Sequence, residues 1–171
     1  MIGMRFSKPL GNVEDYAKAA QWCNKNNATI EDKGDFYEVV TIPSPSLSEI
    51  KARKLTTIDS ETSAAILAGF DYTIDGTFYH FSYDSFDQQN FSDTANMCQL
   101  ALAGTPGLPT SVVWNSYLPD GTLVQQTFDA QSFLALYTAG AMQHKATQMT
   151  IGGQRKAKVW AAQTKEEIEA I

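Results

Sequence analysis

Two histidines, two cysteines and a scatter of carboxylates hold most of the reactive chemistry of this chain. Asp71 and His80 lie on either side of Asp75-Gly76, within two alternating apolar runs, Phe70–Ile74 and Thr77–Tyr83. Asp-Gly between such runs is a strong hairpin signal. With a type I′ turn there, Ile74 faces Thr77, Tyr72 faces Tyr79, Phe70 faces Phe81, and Asp71 faces His80. A carboxylate opposite an imidazole is the germ of an acid–base pair. A nucleophile to complete a triad is not evident, since Ser82 sits two residues along the same strand. A surface polar contact is the favoured reading of the pair.

The remaining candidates read as structural in the same way. Asp84, Asp87 and Asp93 surround Gln88, Gln89 and Asn90, without the Asp-x-Asp-x-Asp-Gly order or the distal Glu of a calcium loop. Helix capping by Asp84 or Ser85 is the expectation. His144 shares a helical stripe with Phe133, Tyr137 and Ala141, a setting for a half-buried, hydrogen-bonded ring. Cys23 and Cys98 fall on apolar helix faces, where cysteine acts as a small hydrophobe. No Cys/His spacing suggests zinc. Gly152-Gly153-Gln154-Arg155-Lys156 lacks the preceding strand and the Gly-Lys-Ser/Thr ending of a phosphate loop, and reads as a flexible joint before a basic helix face. The expectation is a protein that is not an enzyme, with no catalytic residue, metal site or cofactor. Trp114, Tyr117, Arg155, Lys156 and Trp160 are its candidate interaction surface.

The elements that must position these groups follow in order. Residues 3–7 form a short strand, Asn12 caps a helix with Val13, Tyr16, Ala17, Ala20 and Cys23 on one face, and residues 28–31 and 36–42 make a hairpin. This β-α-β-β module, residues 1–43, is too small to hold much core. Pro43-Ser44-Pro45-Ser46 marks the boundary, with residues 44–46 as linker. Ser46 with Glu49 is a capping box for a helix running to Gly69, with a weak spot at Thr56-Thr57.

The Phe70–Phe81 hairpin follows, with an aromatic face of Phe70, Tyr72, Tyr79, Phe81 and Tyr83 that requires burial. A helix with a Phe91, Ala95, Cys98, Leu102 stripe comes next, and then a hairpin from Thr110 to Phe128. Its Leu118-Pro119-Asp120-Gly121 connection favours a type I turn with glycine in a left-handed bulge. Asp129 caps a helix that Gly152-Gly153 breaks or bends, and residues 163–171 form a tail with a Thr164–Glu167 capping box. The fold class is α+β: the small N-terminal module joined to a domain, residues 47–162, of two β-hairpins interleaved with and packed on helices.

Composition narrows the function classes. With 43% hydrophobic and 19% charged residues the chain is globular. A net charge of −6 and a pI near 4.8 argue against a nucleic-acid partner. No apolar run approaches the ~18 residues of a membrane span, and Pro9 and the Asn12 cap come too early for a secretory signal.

Residues 51–162 resemble a domain of unknown function found in tail proteins of tailed phages and prophages. The resemblance is carried by Ala68-Gly69-Phe70, Phe81-Ser82-Tyr83-Asp84, Asn90, Asp93-Thr94-Ala95, Gly107–Val112 and Trp114-Asn115, then by Phe133–Tyr137, His144-Lys145 and Gly152–Ala157. Tyr16–Asn24 and Phe36–Val40 are similar to the opening of small tail-fibre assembly proteins. The resemblance implies a tail-fibre assembly or accessory protein acting on other phage tail or tail-fibre polypeptides, and it supplies no catalytic residues. It leaves room for a homo-oligomer, and places the protein in the host bacterial cytoplasm during assembly or in the virion tail. The alternative is a structural tail-tip or fibre component that binds a host-surface glycan or receptor.

Overall fold

The computed structural model describes all residues, 1–171, and divides them into two compact units, residues 1–46 and 47–171. The fold is α+β in each unit. In the first, β1 (Arg5–Ser7), α1 (Val13–Cys23), β2 (Ala28–Asp32) and β3 (Phe36–Thr41) give an antiparallel sheet of order β1-β3-β2. The Asn12 side chain accepts from the Asp15 N–H and starts α1. Phe6, Ala19, Cys23, Ala28 and Val39 are its buried core.

The second unit begins with α2 (Leu47–Leu67), followed by β4 (Phe70–Ile74) and β5 (Thr77–Phe81). Their register is Phe70↔Phe81, Asp71↔His80, Tyr72↔Tyr79, Thr73↔Phe78 and Ile74↔Thr77, as the hairpin chemistry predicts. Asp75 (φ 49°) and Gly76 (φ 79°) are both left-handed, as a type I′ turn requires. The capping box at Asp84 then opens α3 (Ser85–Leu102). β6 (Ser111–Tyr117) and β7 (Leu123–Asp129) form the other hairpin, with Gly121 left-handed at φ 85°. The two hairpins join through one pair, His80↔Tyr117, into a four-stranded sheet of order β4-β5-β6-β7.

The helical chain then runs from α4 (Ala130–Ala135) through a π-turned segment (Leu136–Met142) into α5 (Gln143–Ala161), and α6 (Lys165–Glu169) ends the unit. The aromatic face of the first hairpin is indeed core. Phe70, Phe81, Tyr83, Phe91, Phe128 and Phe133 are buried together, with Phe91 ringed by Phe70, Tyr83, Trp114 and Phe133 at centroid distances of 4.3–5.7 Å. Gly140 lies in the π-turned segment because a Cβ there would stand 2.5 Å from the Phe70 ring.

Three expectations are corrected. Gly152-Gly153 neither breaks nor bends its helix, because α5 is continuous from Gln143 to Ala161. Gly152 is instead a contact point: a Cβ there would meet Thr62 Oγ1 of α2 at 2.4 Å, so hydrogen lets the two helices touch. The flexible joint and solvated basic face expected at Gly152–Lys156 are therefore a packed, ion-paired segment. Thr56-Thr57 does not interrupt α2; both hydroxyls donate to carbonyls four residues back, at 3.1 Å, and the helix runs through. Finally, the residues after 162 are built into the unit, with α6 against α2 and α5 and Ile168 buried.

Candidate functional site

The Asp71–His80 pair forms as the register demands, His80 Nδ1 lying 2.9 Å from Asp71 Oδ1. Both side chains are open, 71% and 42% exposed, so water screens the pair. His144 is half-buried and hydrogen-bonded, its Nε2 lying 3.2 Å from the Ile66 carbonyl. The fold brings both histidines to one cleft of about 410 Å³, with Gly69, Gly140, Gln143, Thr147 and Gln148 around them. At Gly69 (φ 92°) a Cβ would strike the Phe81 carbonyl and the His80 ring, at 2.3 and 2.7 Å, so glycine keeps His80 against the strand. The two thiols lie elsewhere, each buried in the core of its own unit, and burial pushes the Cys98 thiol up. The cleft therefore gathers an acid and two imidazoles without a thiol.

Asp84 caps α3 as expected, and Asp87 and Asp93 are hydrogen-bonded as well. Asp84 Oδ1 accepts the N–H groups of Phe86 and Asp87 at 2.8 Å. Asp87 Oδ2 accepts the Ser82 hydroxyl and, at 3.3 Å, the Asp84 N–H, while Asp93 accepts from Gln89 Nε2 at 2.7 Å. These bonds leave Asp84 Oδ2 and Asp87 Oδ1 unengaged.

Asp84 and Asp87 both line the larger feature of the unit, a groove of about 690 Å³ between α3 and β6. One wall is a stripe along α3, Asp87, Asn90 and Thr94, three and four residues apart on one face. The other is β6, with Val113, Trp114, Asn115 and Tyr117; Ser82 and Asp84 close one end where the chain passes from β5 to α3. Asn90, Thr94, Trp114 and Tyr117 are half-buried, and their side-chain polar atoms make no hydrogen bond within the protein. No buried side-chain nitrogen or oxygen lacks a partner, so these atoms are open to solvent. Asn115 Oδ1 accepts from Gln125 at the weak distance of 3.4 Å. The groove is thus lined by residues that carry amides, hydroxyls, an indole and carboxylates, and by no cation.

The expected interaction residues are not brought together. Trp114 and Tyr117 line the groove, with the Trp114 ring packed 4.3 Å from Phe91 and 5.1 Å from Phe133. Arg155 and Lys156 lie on α5 and are paired with α2, Arg155 to Glu61 at 2.6 Å and Lys156 to Asp59. Their charge is matched at home, which removes the free basic face. Trp160 is 64% exposed on the same helix, its carbonyl accepting from Lys51 Nζ at 2.9 Å. Reasoning from the sequence missed the Asp87, Asn90, Thr94 stripe, although its helical spacing was visible and Asn90 and Thr94 stand among the resemblance residues. The open side of β6 left no sequence signal, because only the tertiary course of β5 exposes it.

No helix of the protein is long and apolar enough to cross a membrane. Neither the curated proteins nor the solved structures include a significant match to the chain. A family model does match, over residues 49–171, which span both hairpins, the groove and every helix from α3 to α6. On that match the chain belongs to the family described as domain of unknown function DUF4376.

Proposed function

We infer that the protein is a non-enzymatic tail-associated protein of a phage or prophage, a tail-fibre assembly or accessory factor that works by binding other tail polypeptides. The observation that carries a binding role is the groove, whose lining residues Asn90, Thr94, Trp114, Tyr117, Asp84 and Asp87 keep polar atoms with no partner inside the protein. Unengaged polar groups in a concave site serve recognition. Chemistry is a poorer fit. The one acid–base pair, Asp71–His80, is open to water and has no thiol beside it.

The phage-tail assignment is supported by the resemblance residues, six of which, Ser82, Asp84, Asn90, Thr94, Trp114 and Asn115, line this groove. On this reading the protein acts in the host cytoplasm during assembly. Mixing it with the fibre polypeptide encoded beside its own gene is expected to give a complex or a higher yield of folded fibre. Neither effect would remove the assembly reading. Mass spectrometry of mature particles then separates an assembly factor, absent from the tail, from a virion component.

A second reading, glycan or receptor binding at the tail tip, is favoured by two aromatic residues, Trp114 and Tyr117, in the same groove. Oligosaccharide binding that perturbs Trp114 fluorescence, together with loss of host adsorption in a Trp114→Ala variant, would select it.

A further inference from the structure

Strand parity decides which main-chain groups of β6 are free. The Leu118 N–H donates to the Thr122 carbonyl at 2.9 Å, so this is a hydrogen-bonded pair. Alternation makes Ser116–Val124, Trp114–Gln126 and Val112–Phe128 the others. The N–H and C=O groups of Ser111, Val113, Asn115 and Tyr117 therefore point away from β7. Tyr117 meets His80 on that side. Ser82 stands next in line for Asn115, but β5 has ended at Phe81 and the chain turns into the Asp84 cap; no main-chain hydrogen bond joins Ser82 to Asn115. Asn115, Val113 and Ser111 are left as an open edge of about 14 Å, at ~3.4 Å per residue. Val113 and Asn115 of that edge line the groove opposite α3.

We propose that the groove binds an extended polypeptide segment as an added strand on the β6 edge, in line with β5, with a Lys or Arg of the guest against Asp84 and Asp87. The proposal rests on the binding role argued above and names its mode. Outward groups two residues apart repeat at ~6.8 Å, the spacing of alternate residues in a guest strand. From Thr110 to Tyr117 there is neither a charged residue nor a proline, the devices that normally block an edge. Charge decides the guest's side chain: Asp84 Oδ2 and Asp87 Oδ1 are unengaged and no cation lines the groove. Asn90 and Thr94 stand on the opposite wall to take the guest's remaining polar groups. A glycan suits the site less well, because Phe91 and Phe133 already pack on the Trp114 ring and leave it a wall rather than a stacking platform. The outer edge of β7 is longer but lies outside this groove, whose only β7 residue is Gln125.

The test is an amide-resolved NMR titration of the full chain with a seven-residue peptide of alternating Thr and Val around a central Lys. The Val113 and Asn115 amides are expected to shift and to exchange more slowly. A twin peptide with central Glu is expected to bind up to about fivefold more weakly, the scale of an exposed ion pair. N-methylation of the peptide's edge-facing amides is expected to cost about tenfold or more per lost hydrogen bond. Val113→Pro deletes only an outward N–H and leaves the β7 ladder whole, so it is expected to lose the peptide while keeping the exchange protection of β7. If that variant does not fold, the N-methylated peptides decide alone. Shifts confined to the outward amides of Leu123, Gln125 and Thr127, a response to oligosaccharide but to no peptide, or no response at all would each overturn the proposal. A fibre polypeptide that binds while the Lys peptide leaves β6 untouched defeats this inference and spares the assembly reading. Peptide binding at β6 without any fibre complex does the reverse.

Discussion

Asp129 holds the first turn of α4 with a single carboxylate oxygen, accepting the Ser132 hydroxyl and the Ser132 N–H, each at 2.7 Å. Those bonds, the hydroxyl's first, keep the Asp129 carboxyl below the usual carboxylate range, and the Thr122 N–H at 2.9 Å does the same for Asp120. A depressed carboxyl contributes stability that is complete above its unfolded pKa, about 3.9, and is lost as pH falls through its lower folded value. Asp129→Ala is therefore expected to lower Tm at pH 7, by a margin that shrinks as pH falls below about 4. A margin constant from pH 7 to 2 in thermal melts would contradict the assignment. Caps and turns of this kind are legible in a sequence because donor and acceptor lie within three residues. Asp84 and Asp129 were readable on that ground, and the Asp71–His80 pair, nine residues apart, through the register that the Asp75-Gly76 turn sets. Arg155 and Lys156 were not, since their counter-charges, Glu61 and Asp59, lie on a helix that local sequence says nothing about.

Hairpin registers belong to the same legible class, because Asp75-Gly76 and Gly121 fix their turns through left-handed backbone that few other residues accept. Helix continuity does not. Gly152-Gly153 reads locally as a break, and only the close approach of α2 turns Gly152 into a packing requirement. Contacts Lys51–Trp160, Glu61–Arg155 and Ile66–His144 run in opposite order along the two helices, so α2 and α5 are antiparallel. Gly152→Ala gains about 1 kcal/mol of helix propensity but overpacks against Thr62 at a cost of about 1–3 kcal/mol. The expected result is a lower Tm, restored when Thr62→Ala is added, with a coupling energy visible in the double-mutant cycle. A Gly152→Ala protein more stable than the parent would show that the helices do not touch there.

At the scale of the molecule the two units have separate buried clusters, one around Phe6, Ala19 and Val39 and the other around Phe81, Phe91 and Phe133. Residues 47–171 alone are expected to give a cooperative melt with the near-ultraviolet circular dichroism of packed aromatic rings. A fragment without that signal would mean that the second core depends on the first. The alternation of hairpin and helix was visible in the chain, but the joining of the hairpins through His80↔Tyr117 was not. That one bridge matters most, because a longer ladder would have covered the β6 edge. The central claim, that this edge takes a strand from a tail polypeptide, is tested most directly by amide hydrogen exchange. The full chain would be measured with and without the fibre polypeptide encoded beside it. The account predicts that the Val113 and Asn115 amides slow by about fivefold, the scale of one added hydrogen bond of ~1 kcal/mol, while the outward amides of β7 do not change. A complex that forms with Val113 and Asn115 exchanging as before, or no complex, would contradict it.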